Sequence, residues 1–538
     1  MTLEEAVEGF IQKKPDDVLE QVGAFFMPPT IPEYLPSEML TAACYRALGF
    51  SGMRDEWVSK NGRALSRLFE KSGGVSSYPF NKAEVWRLLK DVLLSPEDPK
   101  QKRSQKYPDF LFLAPLVPTT AYFSNPVRLK KNENTAGGTP WNVGLIFKAL
   151  VSYSAIDRSD GDELWRMFFK AYGVQDDSQE DYFARIVERV LKSCAEAVCK
   201  DPADPSASSR FPKWEMCEND IYDEHKFLIS AKDRNVFSTI SPLDEIRRGL
   251  RAILGLKPRF SRWQWMTMLD AQMRMSVVAL MLWLLELHHV AKCAIQKYVI
   301  EGCELPDVPD SELFVRIYKD AHIKNVFCYG EGFAKAQKHV VTHYAREYLY
   351  LTFLLSLAQE LSPDTYSTMT WSSVSGFLSS MRKLRAVFSS GENRGLFLRG
   401  FEKVLDAKSG DLNPRKGRLK HILEFLAVLR QRTVVESQSD FMRYDQSYLV
   451  RKKGSYSSAP FVVDMGSMAC FVIAFCCAND RRVFPLKDLR QYLERYYISV
   501  QSGHIEQFLE YLKGLGLTMD SPDAGDGLMV RNPFYSEV

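Results

Sequence analysis

Five of the eight histidines lie between His288 and His343, and their spacing could hold a metal ion. His339, His343 and Glu347 run H-x3-H-x3-E, one turn apart on one face of a helix. Two histidines at i and i+4 can chelate a single ion. Earlier in the chain, Glu286-Leu287-His288-His289 supplies an E-x-x-H pair. That is the spacing of di-iron carboxylate bundles, which need two such pairs and two further glutamates. The chain has no second E-x-x-H. A metal-dependent enzyme built on Glu286, His289, His339, His343 and Glu347 is therefore the alternative reading. Polar residues that line or cap helix faces are the leading one, and no cofactor is expected.

Other catalytic patterns fail on inspection. There is no G-x-x-x-x-G-K-[ST], G-x-S-x-G or G-x-G-x-x-G. Arg316 to His322 and Arg415 to His421 match R-x5-H, a spacing that chance supplies in a chain this basic. The ten cysteines form no C-x-x-C pair, which excludes zinc ribbons and thioredoxin-like redox motifs.

The positive charge is segregated. Net charge is +3, yet the stretch from Arg382 to Lys453 holds seventeen Lys/Arg against eight Asp/Glu. Within it lie Arg394, Arg399, Arg415, Lys416, Arg418 and Lys420. A second band, Arg247, Arg248, Arg251, Lys257, Arg259 and Arg262, contains no acid and is followed by Trp263 and Trp265. Basic residues interleaved with aromatics suit a phosphate backbone with base stacking. The competing reading is a solvated or acid-paired helix face.

The elements that would position these residues are clearest at the C-terminal end. Met468 to Ala478 is apolar and long enough for a helix. Arg482 to Pro485 reads as extended, because a proline pushes its predecessor toward the β region. Leu486, Leu489, Leu493 and Tyr496 then recur at helical spacing, and Tyr497 to Gln501 forms a turn. Ser502 suits the N-cap of a third helix that carries Ile505, Phe508, Leu509 and Leu512 on one face and stops at Gly514. Leu517 to Met519 and Leu528 to Val530 flank a turn-rich loop and predict a hairpin. This order resembles the winged helix-turn-helix superfamily, which implies work on nucleic acid or within complexes that handle it. A DNA reader of this type supplies Lys and Arg from its third helix. Here that helix offers Glu506, Glu510 and only Lys513, and the chain from Asp464 onward is net −3. Protein docking is thus expected ahead of direct DNA contact, with Arg481, Arg482 and Arg531 as the residues that would make such contact.

The 538 residues and 46% apolar content suit a soluble globular protein of about three or four domains. Residues 1–95 read as an N-terminal helical region, and 96–200 as a proline-rich mixed segment followed by helices. The run 210–432 reads as a central helical domain carrying the basic bands, with helices near 265–300, 332–360 and 417–431. Residues 433–460 read as a linker, which predicts a separable unit at 461–538. The fold class is mainly α: a multi-domain helical body with a small mixed α/β patch near 105–125 and a C-terminal winged helix. The longest apolar runs, such as Met275 to Leu285, are short of the ~18 residues of a membrane span. No secretory pattern opens the chain, and a reducing cytoplasm is expected.

Tyr348 to Leu357, followed by Thr368 to Ser375 around Trp371, resembles accessory subunits of bacterial phosphorothioation-dependent restriction complexes. The resemblance implies a DNA-targeting defence setting with the motor and nuclease in partner chains. The expected partners are other protein subunits and nucleic acid, DNA ahead of RNA, with no membrane.

Overall fold

The computed structural model describes residues 2–12, 23–26, 158–174, 181–189 apart from Phe183, 233–321, 327–329, 333–409, 461–479 apart from Asp464, 481–500, 505–519 and 528–535. A few short strands and single positions elsewhere complete it. The architecture is mainly α. In chain order the helices are α1 (Leu3–Gln12), α2 (Arg158–Tyr172), α3 (Arg234–Ile240), α4 (Leu243–Gly255), α5 (Arg262–Ile295), α6 (Asp310–Ala321), α7 (Phe333–Leu361), α8 (Pro363–Ser367), α9 (Val374–Val387) and α10 (Gly391–Ala407). The C-terminal end adds α11 (Met465–Asn479), α12 (Leu486–Arg495) and α13 (Ile505–Gly514).

Nine short strands are present among the described residues: β1 (Phe327–Tyr329), β2 (Arg432–Thr433), β3 (Asp445–Gln446), β4 (Val450–Lys452), β5 (Phe461–Val463), β6 (Val483–Pro485), β7 (Ile498–Val500), β8 (Thr518–Met519) and β9 (Met529–Arg531). β6, β9 and β8 form a three-stranded antiparallel sheet in that order. β7 pairs in parallel with β1, from Phe327 opposite Ile498 to Tyr329 opposite Val500. The turn expected over Tyr497 to Gln501 is therefore extended from Ile498 to Val500, paired with a strand some 170 residues earlier.

α5 is the axis of the body. Leu280, Met281, Leu282, Trp283, Leu284 and Leu285 are each at most 2% exposed, so the middle of the helix is buried on every side, as in a central core helix. Its start is fixed locally. Ser261 Oγ accepts from the Gln264 amide while the Gln264 side chain accepts from the Ser261 amide at 3.2 Å, a reciprocal capping box. It ends in a π-turn, Gln296–Ile300. α5 is the one described helix long and apolar enough to cross a membrane, and 82% of that apolar window is buried inside the protein. α4 begins at Leu243 with Pro242 at the cap, and Ser241 Oγ accepts from the Leu243 amide at 3.4 Å. Asp244 and Glu245 occupy its first turn, where the helix dipole favours acids.

α4 packs between α5 on one side and α11 on the other. Phe471, Phe475, Tyr492 and Tyr496 of the C-terminal segment belong to the same continuous core as Ile246, Leu250 and Leu269 of the body. The closest approach is at Gly249, where a Cβ would lie 2.6 Å from Gln272 Nε2 and 2.9 Å from the Tyr492 hydroxyl. Only glycine leaves space there. A second aromatic cluster joins Phe25, Phe26, Phe237, Phe314 and Phe377, mostly edge to face. The mixed patch expected near 105–125 and the helix at 417–431 fall outside the described residues, apart from residues 117–119.

Candidate functional site

Three polar side chains climb one flank of α5: Glu286, His289 and Cys293. The buried Glu286 carboxylate accepts from the Tyr318 hydroxyl of α6 and, at 2.5 Å, from the Tyr497 hydroxyl before β7. Burial first, and the adjacent carboxylate second, hold both tyrosines well above their usual range. Tyr497 adopts φ 62°, a left-handed conformation rarely taken by a residue with a large side chain. Its hydroxyl contact and full burial of the ring offset that strain.

His289 faces the other way, toward α7. Its Nδ1 bonds Glu347 Oε1, and its Nε2 lies 3.5 Å from Cys293 Sγ, one turn along α5. Burial pulls the imidazole pKa down, but the hydrogen bonds to Cys293 and Glu347 together outweigh it and carry the value to about 10. Both ring nitrogens of the imidazolium are donors, and each faces an acceptor. Cys293 is part-exposed, His289 retains 22% of its side-chain exposure, and Glu347 retains 7%.

The histidine and glutamate residues singled out by spacing are thus partly brought together. His289 and Glu347 meet across the α5–α7 seam, while Glu286 turns away to Tyr318 and Tyr497. His343 is exposed one turn before Glu347, and the His339 side chain lies outside the described residues. Among the described residues no three His, Cys, Asp or Glu side chains are grouped to hold an ion. A metal centre through His289 would need a ring nitrogen that Glu347 or Cys293 now faces. His288, next in sequence, is fully buried against Phe26 and Tyr344. Cys293, Tyr318 and Tyr497 were missed by the motif search, although the i,i+4 spacing of His289 and Cys293 was readable.

The first basic band divides between structure and surface. Arg262 and Lys257 both pair with the buried Asp181 at 2.9 Å, and Arg262 also donates to the Tyr172 carbonyl at 2.5 Å. Arg247 is buried, and Arg251 reaches Glu163 at 3.4 Å. An arginine pinned on a buried aspartate ties the end of α2 to the start of α5, so Arg262 and Lys257 are engaged within the protein. Arg248 and Arg259 are exposed instead, and both point at the C-terminal segment. Arg248 donates to Asn479 Oδ1 at 2.6 Å, and Arg259 donates to the Phe534 carbonyl at 3.0 Å.

Arg481, Arg482 and Arg531 are exposed in the same neighbourhood. Arg481 and Arg482 follow Asn479 after one intervening residue, Asp480; the Arg482 carbonyl accepts from the Asn532 amide at 2.9 Å, and Arg531 stands opposite Val483 in the sheet. Exposed arginines from α4, the Lys257–Arg259 turn, the segment after α11 and β9 thus lie on or touch the C-terminal segment. In the second band, Arg394 Nε donates to the Phe388 carbonyl at 2.7 Å, and the exposed Arg399 donates to the Gly395 carbonyl at 3.2 Å. Arg415, Lys416, Arg418 and Lys420 fall outside the described residues.

No protein family model, no curated protein and no solved structure matches this chain.

Proposed function

We infer that this chain is a helical scaffold subunit of a cytoplasmic nucleic-acid-handling complex, contacting phosphates through Arg248, Arg259, Arg481, Arg482 and Arg531. The observation that carries the reading is that these exposed cations, from segments almost 300 residues apart, all lie on or touch the C-terminal segment that carries the three-stranded sheet. A cationic rim of this kind supplies sequence-independent affinity, because each neutralised phosphate releases counterions.

The order helix, strand, helix, strand, helix and two closing strands from Met465 to Arg531 supports a winged-helix reading of the C-terminal segment. Its third helix, α13, exposes Glu506 and Glu510, which suits a basic surface on a partner protein better than a phosphate backbone. We place the phosphate contacts beside that helix and the partner contact on it. The resemblance of Tyr348 to Ser375 to restriction-complex accessory subunits supports a DNA-targeting defence setting, with catalysis in other chains. The metal-dependent alternative is not carried forward, since Glu286 and His289 face different partners.

The test is equilibrium binding of the full chain to a short mixed-sequence DNA duplex at several salt concentrations. The reading expects affinity of the non-specific class, on the order of 10⁻⁴–10⁻⁶ M, weakening steeply with salt. Absence of binding at low salt contradicts it.

A further inference from the structure

Glu347, His289 and Cys293 form a relay in which a carboxylate orients an imidazole and the imidazole faces a sulfur. Glu347 fixes Nδ1 of the ring, and Nε2 is left directed at Cys293 Sγ at 3.5 Å. A doubly donating imidazolium beside a sulfur stabilises negative charge on that sulfur, and the sulfur anion is the nucleophilic form of cysteine. The scaffold reading makes no use of this arrangement.

The charged and titratable groups around the sulfur come from three elements. Lys292 lies on the same helix, over the Tyr350 ring at 5.3 Å, and bonds the Gln296 side chain. Glu347 and Tyr350 face the sulfur from α7, and Glu301 follows the π-turn. Glu301 accepts from Gln296 Nε2 at 2.9 Å, and with Cys293 it helps burial to hold the Tyr350 hydroxyl proton. Lys292 is thus engaged by Gln296, Glu347 by His289 and Glu301 by Gln296.

The position is also open. Cys44 and Cys476 are buried, and burial pushes the Cys476 thiol up to about 12. Cys293 combines partial exposure with a cationic neighbour, which is the combination that makes a thiol susceptible to oxidation. The α-helix gives way to the π-turn three residues later, and π-turns are frequent at functional positions.

We propose that Cys293, His289 and Glu347 form a site at which a hydroperoxide oxidises the Cys293 thiolate to a sulfenic acid. The sulfur attacks one peroxide oxygen, so an S–O bond forms and the O–O bond breaks. The departing hydroxide takes the Nε2 proton of His289 and leaves as water. Sulfur loses two electrons and the peroxide gains them, with no further reductant. His289 regains its proton from solvent, while the Cys293 sulfenic acid no longer carries the thiolate charge, so oxidation alters the α5–α7 seam electrostatically. This inference is independent of nucleic-acid binding.

The experiment treats the full-length protein with dilute hydrogen peroxide in the presence of dimedone and follows adducts by peptide mass spectrometry. Cys303, exposed and ten residues further on, is the internal reference. The adduct at Cys293 is expected to form at least ~10-fold faster than at Cys303, and His289→Gln is expected to bring the two rates together. Equal rates in the unaltered protein, or a Cys293 rate unaffected by His289→Gln, overturns the proposal.

Alkylation of the unaltered protein by iodoacetamide gives a test that does not depend on any variant folding. At pH 7 Cys293 is expected to react at least ~10-fold faster than Cys303. Equal rates overturn the proposal.

Discussion

The Tyr497 hydroxyl donates to the Glu286 carboxylate across 211 residues of sequence, at 2.5 Å, and both side chains are buried. It ties the C-terminal segment to the central helix through a group that costs much to leave unpaired. Removing one donor from a buried acceptor costs about 1–3 kcal/mol. Tyr497→Phe is therefore expected to lower unfolding free energy by that amount, read from the urea midpoint. Glu286→Gln is expected to cost less, because the amide oxygen still accepts from both tyrosines. A Tyr497→Phe change below about 0.5 kcal/mol, the level of an ordinary surface substitution, would contradict the assigned role.

Gly249 sets the distance between body and C-terminal segment. Alanine is favoured over glycine within a helix by about 1 kcal/mol. Against that gain, the added methyl would meet Gln272 Nε2, Tyr492 Oη and Tyr496 Oη at 2.6–3.0 Å. Those atoms already form a network, with Gln272 donating to Tyr496 at 2.7 Å and Tyr496 donating to the Glu245 carbonyl at 3.1 Å. Overpacking costs about 1–3 kcal/mol and a broken buried hydrogen bond about as much again. Gly249→Ala should thus destabilise the protein by a net ~1–3 kcal/mol, visible as an earlier thermal transition. A later transition would show that α4 and α12 are not in close contact.

The elements of this region were legible because their periodicity changes sharply. Leu486, Leu489 and Leu493 alternate with charges at helical spacing, and Pro485 marks the entry. What the pattern did not carry was that these apolar faces close on α4 and α5 as well as on each other. The polar run 433–460 predicts a separable unit at 461–538; the contacts of Tyr496 with the Glu245 carbonyl and of Tyr497 with Glu286 in the body leave no local trace in the sequence. Basic residues were equally ambiguous. Arg248 and Arg262 look alike in a charge count, yet one is exposed and the other is buried on Asp181, an acid 81 positions away. Long-range pairing of that kind leaves no local trace. The E-x-x-H spacing of Glu286 and His289 puts them near one another on a helix, but periodicity cannot say that three positions of rotation send them to different neighbours.

His289 gives a pH dependence of known sign. Its imidazole holds a proton more tightly in the folded protein, with a pKa raised to about 10 from 6.5. Its contribution is complete below pH 6.5 and is lost as pH rises through the folded value. Between those limits the folded state binds one proton more than the unfolded chain, so stability falls by at most ~1.4 kcal/mol per pH unit. Urea midpoints at pH 6, 8 and 9.5 should decline more steeply in the unaltered protein than in His289→Gln. Equal declines would place the His289 proton elsewhere.

The central claim is that exposed arginines on and against the C-terminal segment contact nucleic-acid phosphates. Its most direct measurement is the slope of log K against log salt for duplex DNA binding by the full chain and by the combined variant Arg481→Glu, Arg482→Glu, Arg531→Glu. Each lost contact flattens the slope by ~0.9, so all three together change it by up to about 2.7. A matched reversal at Arg316, exposed on α6 and paired with Glu312, should leave it unchanged. Lower affinity with a flattened slope in the triple variant alone is the predicted result. An unchanged slope and unchanged affinity would contradict the account.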